Sequence, residues 1–323
     1  MERLMENPEL VTIFGGSGFV GTQVTQALAR AGYRVRVAVR RPDLAGHVRP
    51  LGAVGQVVPV QANLRNRDSV AAAVRGASIV INLAAIGIEK GKQRFRAINV
   101  NGARHVAEAA KAAGARTLIH MSVLGADETS PSLFARSRAM GEAAVKAAFP
   151  AAIIFRPSIV FGPGDGFFNQ MGMLARLLPV MPLFGGKTQF QPVYVGDVAE
   201  ALAAAAQGNA KPGKIYELGG PEVLTHRQLI ERVLQFSNRS NPILPLPNFV
   251  GSLIALPMQI LPKPLITGDQ LKLLGIDNVV SAEASKDKRN LAGLGIAPRP
   301  LDAVLPGYLW RFSRNGQFDR QTA

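Results

Sequence analysis

Seven short apolar runs recur through the first two thirds of the chain, at 10–14, 33–39, 57–61, 78–83, 116–121, 151–155 and 214–218. Between them the apolar spacing changes to a helical period, at 19–30, 68–74, 94–113 and 134–148. Runs of this length bounded by turn residues read as buried strands, and strands alternating with helices at this spacing predict a doubly wound parallel α/β sheet. Gly32 and Gly114 close the helices they follow.

Beyond Gly162 the pattern loosens. Residues 162–166 read as a loop, 168–178 as a helix and 191–195 as an extended segment. Asp197 is expected to cap an alanine-rich helix running to 206, and Thr225 to cap a helix running to about 236. Prolines alternate with apolar residues over 241–266, which argues against regular sheet there and leaves 250–256 as a short helix stopped by proline on both sides. The expected organisation is a Rossmann-type unit over 8–235, with parts of a smaller C-terminal lobe interleaved from about 163, then a proline-rich C-terminal lobe and basic tail over 236–323. The tail mixes aromatic residues with Arg311, Arg314 and Arg320.

The first strand breaks into Gly15-Gly16-Ser17-Gly18-Phe19-Val20-Gly21 and a helix follows. Three glycines at this spacing allow a tight turn, a close approach of backbone to a pyrophosphate, and close packing of helix on strand, so the segment reads as a dinucleotide cradle. After the second strand come Arg40 and Arg41, where an NAD site would carry an acidic residue for the ribose 2′-hydroxyl. Guanidinium groups suit a 2′-phosphate, so NADP(H) is expected over NAD(H). Asn63 and Leu64 follow the third strand, where a side chain would meet the adenine edge. Leu83, Ala84 and Ala85 end the fourth strand with small residues against which a ligand can lie, and Ser122 stands at the carboxyl end of the fifth. Asn99, inside the long helix, reads either as a core polar residue or as a support for the site.

Composition narrows the remaining possibilities. Apolar residues make up 47% of the 323, which argues against disorder. There is no cysteine, so disulfides and thiolate metal sites are excluded, and the four histidines lack ligand spacing, so no metal is expected. The first strand begins about ten residues in, which leaves no room for a signal or transit peptide. The apolar stretch 249–261 is interrupted by Pro257 and is too short to span a bilayer. The formal charge of +15 points to an acidic partner, an anionic membrane surface or a polyanionic ligand. No aromatic-rich RNA-binding motif accompanies it, so nucleic acid is not expected.

Over residues 10–235 the chain resembles the extended and atypical short-chain dehydrogenase/reductase superfamily. The resemblance is carried by Gly15/Gly18/Gly21, Asn82-Leu83-Ala84-Ala85, His120-Met121-Ser122, the helix at 134–142, Arg156-Pro157-Ser158 and the run from Gln191 to Ala199. It implies that Ser122, Pro157, Ser158 and Ile159 lie along the cofactor. Active members carry a Tyr-x-x-x-Lys pair on the helix after the serine strand, the tyrosine as general acid/base and the lysine holding the ribose. Here Phe134 and Arg138 stand at those positions. Phenylalanine has no titratable proton, and arginine keeps the charge without being lysine's equivalent. Ser122, Phe134 and Arg138 thus read as the remnant of a catalytic set, with Tyr194 the one substitute acid/base suggested by its segment.

A narrower resemblance is to the short-chain-dehydrogenase-like accessory subunits of respiratory complex I, NADH:ubiquinone oxidoreductase. Its pointers are residues 149–157, Gln191 to Val195, Leu244 to Pro247 and Leu265 to Gln270. It implies a tightly held NADPH outside the electron path, complex I peripheral-arm subunits and an anionic membrane surface as partners, and a peripheral position on the inner membrane, cytoplasmic in a bacterial relative or matrix-side in a mature organellar form. The competing expectation is an active NAD(P)-dependent oxidoreductase, epimerase or dehydratase acting on a nucleotide-sugar or small carbonyl substrate.

Overall fold

All seven strands of the main sheet run parallel. A computed structural model of the chain describes residues 8–247, 251, 267–314 and 316–318. The expected helix at 250–256 and most of the 249–261 stretch lie outside those residues. The sheet contains β1 (Leu10–Phe14), β2 (Arg34–Val39), β3 (Val57–Gln61), β4 (Ile79–Asn82), β5 (Thr117–Met121), β6 (Ile153–Pro157) and a last strand at Ile215–Leu218. Their order is last strand, β6, β5, β4, β1, β2, β3. The direction of winding therefore reverses between β1 and β4, and a crevice at the carboxyl ends of these two strands is where such sheets bind ligands.

Helices cover both faces, which is why the strands are apolar almost throughout rather than alternating. On one face α1 (Phe19–Arg30) and α6 (Val195–Ala206) bury Val24, Leu28, Val198 and Leu202 against Val11, Ile13 and Val37. On the other, α2 (Arg67–Val74), α3 (Ala103–Ala112) and α4 (Leu133–Ala148) bury Val70, Val106 and Val145 against Phe14, Val80 and Leu118. Small alanines on α6 let it lie close to α1.

The lobe is built on α5 (Phe167–Leu177) and α7 (His226–Phe236), with short two-stranded pairs outside the main sheet. Its core contains Phe161, Phe168, Phe190, Leu229, Val233 and Leu305. Thr225 caps α7 as expected, in a full capping box with Gln228. Asp165 anchors the start of α5: its carboxylate accepts from Phe168 N at 2.7 Å, Asn169 N at 3.2 Å and Gly162 N at 3.1 Å, and from the Tyr308 hydroxyl. Burial raises the Asp165 carboxyl above its ordinary value, against these bonds.

Four sequence expectations are corrected. Asp197 does not cap α6: the helix already starts at Val195, and Tyr194 stands at the N-cap position without a side-chain capping bond. The Asp197 carboxylate instead accepts from Arg299 N at 2.7 Å. The expected helix at 94–113 is a π-helical stretch, Arg96–Gly102, followed by α3. The extended segment at 191–195 is a strand only at Val193–Tyr194. The proline-rich stretch does form a ladder: Ile243–Pro245 pairs in parallel with Met181–Leu183. Its prolines do not prevent this: Pro242 O accepts from Met181 N at 2.8 Å, and Leu246 N, just past Pro245, donates to Leu183 O at 2.8 Å.

Arg156 of β6 forks onto Glu142 of α4, Nε to Oε1 at 2.9 Å and Nη2 to Oε2 at 2.7 Å, with the Glu142 side chain only 5% exposed. Removing one partner of such a pair strands the other charge. Glu142→Ala is expected to lower unfolding free energy by about 3 kcal/mol in urea melts. The double variant Glu142→Leu/Arg156→Met is expected to lose less than that single one.

Candidate functional site

The glycine turn sits at the reversal point between β1 and β4. Gly15 has φ +82, a conformation that favours glycine, and a Cβ there would lie 3.1 Å from Ala84 N, two residues past β4. At Gly21 a Cβ would meet Gly15 O at 2.1 Å and Gly16 Cα at 2.6 Å, so any side chain would push α1 off the turn. Gly18 stands at the N-cap of α1 without a side-chain cap, and a Cβ there would touch only Gly15 O at 3.4 Å. The first turn of α1 has no acidic residue. Its free N–H groups and positive dipole end are therefore not neutralised by the chain itself, which suits an anion.

Around the far side of this turn the sequence reading missed a 3-10 segment, Pro42–Leu51. It brings His47 Nε2 to 3.2 Å from Ser17 O, beside the cradle. Proline at its first position is the one local signal for it. Arg40 is exposed. Arg41 forks onto Asp43, Nη2 to Oδ2 at 2.7 Å, with both side chains more than half exposed. Solvent screens an exposed pair of this kind, so it does not lock Arg41 away from an anion. Asn63 Oδ1 accepts from Arg65 N at 3.1 Å, and Leu64 is buried beneath Gly102. Leu83 is buried, while Ala84 and Ala85 are progressively exposed at the crevice.

The chemistry-bearing remnant gathers on β5 and α4. Ser122 is buried, and its Oγ has no partner. Arg138 is 2% exposed; Nη2 donates to Met121 O, whereas Nε and Nη1 have none. Burial brings the Arg138 guanidinium down to about 10, against the favourable charge of Glu142. His120, on β5, takes Asn82 Nδ2 on its Nδ1 at 3.2 Å, which assigns the proton to Nε2, and that nitrogen is also unpaired. Burial first, then the Arg138 charge, pushes His120 down to about 3, so its ring is neutral. Four of the six unpaired buried side-chain polar atoms among the described residues thus belong to Ser122, Arg138 and His120. Orphaned buried donors are costly in an apolar interior, and a ligand rich in hydroxyl and phosphate oxygens is what this cluster fits. With the glycine cradle, it passes the test for a dinucleotide.

Phe134, which the resemblance aligns with the acid/base tyrosine, is half buried, its ring 6.0 Å from that of Phe95. Asn99 is buried and fully bonded: within the π-helical stretch its Oδ1 accepts from Ile86 N at 2.9 Å, and its Nδ2 donates to Ile86 O and Ser137 Oγ, both at 3.0 Å. Gly141 permits this approach, since a Cβ there would lie 2.3 Å from Asn99 O. Asp269, from the lobe helix Gly268–Leu273, reaches the start of α4. It accepts from Ser132 Oγ at 2.7 Å, Leu133 N at 2.7 Å and Phe134 N at 3.0 Å. The Thr267/Gln270 capping box was readable locally; this long-range contact was not.

Beyond Phe134 a cavity of about 620 Å³ opens between sheet and lobe, walled by Ser158, Ile159, Met171, Phe184 and His226 among others. Pro157 also lines it. The Ser158 hydroxyl is engaged by Asn278, 2.6 Å from Oδ1. Tyr194 does not line this cavity. Its ring lies between Phe161, at 5.8 Å, and the Arg299 guanidinium, at 5.1 Å.

A reversed parallel sheet with a glycine turn and a serine-strand cluster defines a class of nucleotide-binding α/β proteins. The chain belongs to the NAD dependent epimerase/dehydratase family, whose pattern matches residues 11–219. It is 35% identical over 324 residues to the mitochondrial NADH dehydrogenase [ubiquinone] 1 alpha subcomplex subunit 9 of Arabidopsis thaliana, covering 95% of this chain and 79% of that protein. Over 195 residues it is 37% identical to a ceramide reductase of Caulobacter vibrioides, covering 60% of each chain. The fold is shared with a Thermus thermophilus UDP-glucose 4-epimerase solved with NAD, at TM-score 0.66, 21% identity and 94% coverage of this chain and 99% of that one.

Two outcomes follow. Gly21→Ala is expected to weaken dinucleotide binding at least tenfold in fluorescence titration, with the sheet retained by circular dichroism. His120 is neutral in the fold down to about pH 3, whereas its unfolded counterpart protonates near 6.5. The unfolded state therefore binds more protons between these values, and stability falls as pH drops, by up to about 1.4 kcal/mol per pH unit. Urea melts from pH 7 to 4 should show this slope in the wild type and a shallower one in His120→Gln.

Proposed function

We propose that the chain is an NADP(H)-binding accessory or assembly subunit of membrane-associated respiratory complex I, with no hydride-transfer turnover of its own. The observation that carries this reading is Phe134. It stands where the family's acid/base tyrosine would stand, in a site that otherwise keeps its glycine cradle, Ser122 and a cation at the lysine position. Similarity to the Arabidopsis subunit over nearly the whole chain supports it.

In this reading Gly15 to Gly21 hold the pyrophosphate on the α1 N-terminus, Arg40 and Arg41 take the 2′-phosphate, and Asn63 and Leu64 flank the adenine. Leu83, Ala84 and Ala85 form the floor under the ribose. Ser122 Oγ and the free Arg138 nitrogens receive the nicotinamide-side oxygens, with Pro157, Ser158 and Ile159 along the ring. The bound nicotinamide would supply hydride chemistry, but general acid–base help is typically worth about 10²–10⁴-fold, and Phe134 cannot give or take a proton. The dinucleotide then acts as a ligand of the native state alone, adding about 2.7 kcal/mol at a hundredfold excess over its dissociation constant. The basic surface faces peripheral-arm subunits and anionic lipid, on the cytoplasmic side of the inner membrane in a bacterial cell or the matrix side in an organelle.

The similarity to the ceramide reductase favours a second reading, an active NAD(P)-dependent oxidoreductase on a carbonyl substrate. Turnover of NADPH with a carbonyl compound, abolished by Ser122→Ala, would establish it over the first.

Arg40→Ala/Arg41→Ala is expected to weaken NADPH about tenfold or more and NADH less than threefold, in parallel titrations. Equal loss for both, or none, removes the NADP(H) assignment. After mild detergent extraction of native membranes, the protein is expected to co-migrate with the NADH:quinone oxidoreductase band on a native gel. Migration as a small soluble species alone would reject the subunit reading.

A further inference from the structure

The cavity beyond Phe134 has a composition that a dinucleotide does not explain. Its volume, about 620 Å³, is that of a site for a small molecule. Among the described residues that line it there is no lysine or arginine. A nucleoside diphosphate buried here would have no cation to meet its phosphates, and burying unpaired charge is prohibitive. Deep in the lobe the walls are Phe167, Met171, Leu174, Phe184 and Phe190. The lining continues to the surface through Leu178, 37% exposed, next to Leu177 at 66% and Val180 at 36%. This is an apolar path from protein surface to cavity interior.

Polar side chains also reach the lining, Ser158, Gln170, Gln270, Asp277 and Asn278, but among the described lining residues only His226 carries a buried side-chain polar atom without a partner. His226 lines the cavity between the rings of Phe167, at 6.0 Å, and Phe190, at 5.8 Å, and is 4% exposed. Its Nδ1 lies 2.7 Å from Phe184 O, a group that only accepts, so Nδ1 carries the proton. Nε2 is then a bare acceptor, buried and without a partner. Burial lowers the pKa of this histidine, which keeps Nε2 free of a proton at neutral pH. A lone pair in an apolar wall calls for a neutral donor. It repels a carboxylate and gives nothing to a phosphate.

We propose that this cavity binds a neutral long-chain amphiphile, with a hydroxyl donating to His226 Nε2 and an apolar chain lying along Met171, Leu174 and Leu178. The cavity lies apart from the glycine cradle but shares Pro157, Ser158 and Ile159 with the nicotinamide end of the cofactor site proposed above, so on that reading the amphiphile lies beyond the nicotinamide.

Equilibrium dialysis of the NADPH-loaded protein against labelled dodecanol tests it, with dodecane, dodecanoate and UDP-glucose as comparison probes. One dodecanol per chain is expected, bound at least tenfold more tightly than dodecanoate, with no uptake of UDP-glucose. Leu174→Trp, which fills the cavity, should abolish uptake. His226→Phe keeps an aromatic ring between Phe167 and Phe190 and removes the acceptor; it should weaken dodecanol about tenfold and leave dodecane unchanged. Met171→Phe is a milder filling variant should Leu174→Trp not fold. Unchanged NADPH fluorescence in each variant separates loss of this site from loss of the cradle. Saturable UDP-glucose binding, no dodecanol uptake by the wild type, or uptake indifferent to both His226→Phe and a folded filling variant would overturn the proposal.

Discussion

Everything at the carboxyl edge of the sheet depends on one backbone contact, the approach of Gly21 to Gly15 and Gly16. There is no room for a methyl group between them. This contact aims the α1 N-terminus into the crevice, and it brings the turn against Ala84, two residues past β4. The reversal of strand order then places β5, with Ser122 and His120, on the adjacent side. A crevice with an uncapped helix end on one wall and unpaired buried donors on the other is assembled from these few constraints.

Charge inside this edge is arranged around too few acids. Arg138 and Arg156 are both taken at least partly out of water, yet Glu142 alone forks onto Arg156 and only influences Arg138 from a distance. Arg138 is left with a single carbonyl partner. A lysine, with a compact and strongly hydrated charge, would cope less well with such a dry position than a delocalised guanidinium. An arginine at position 138 is thus compatible with a site that holds oxygens firmly, whereas the phenylalanine at 134, its ring tilted against that of Phe95, serves packing.

What the sequence disclosed divides along physical lines. The bounds of β1, α1 and β3 were legible to the residue, because each rests on a local apolar run bounded by glycine or polar residues. The glycine turn was legible for the same reason, since its chemistry lies within seven consecutive positions. The Thr225 cap was legible from its residue type ahead of a helical apolar spacing, and the structure adds its Gln228 partner. Asp197 shows where such reasoning stops: it is a good capping residue by type, but Arg299, about a hundred positions later, claims its carboxylate. The π-helical turn around Asn99 exists to meet Ile86 and Ser137, and no periodicity encodes that. The cavity could not be read at all, because its walls come from segments between Val123 and Asn278 that only the folded chain brings together.

The hold of Asp269 on the first turn of α4 makes the lobe part of the cradle's own machinery. Three donors at the start of the helix that carries Phe134 and Arg138 are satisfied by a carboxylate from across the molecule. The first turn of α4 is thus finished by a residue more than 130 positions further along the chain. Any displacement of the lobe that withdrew Asp269 would leave those three donors without their carboxylate, at the head of the helix that bears Phe134 and Arg138.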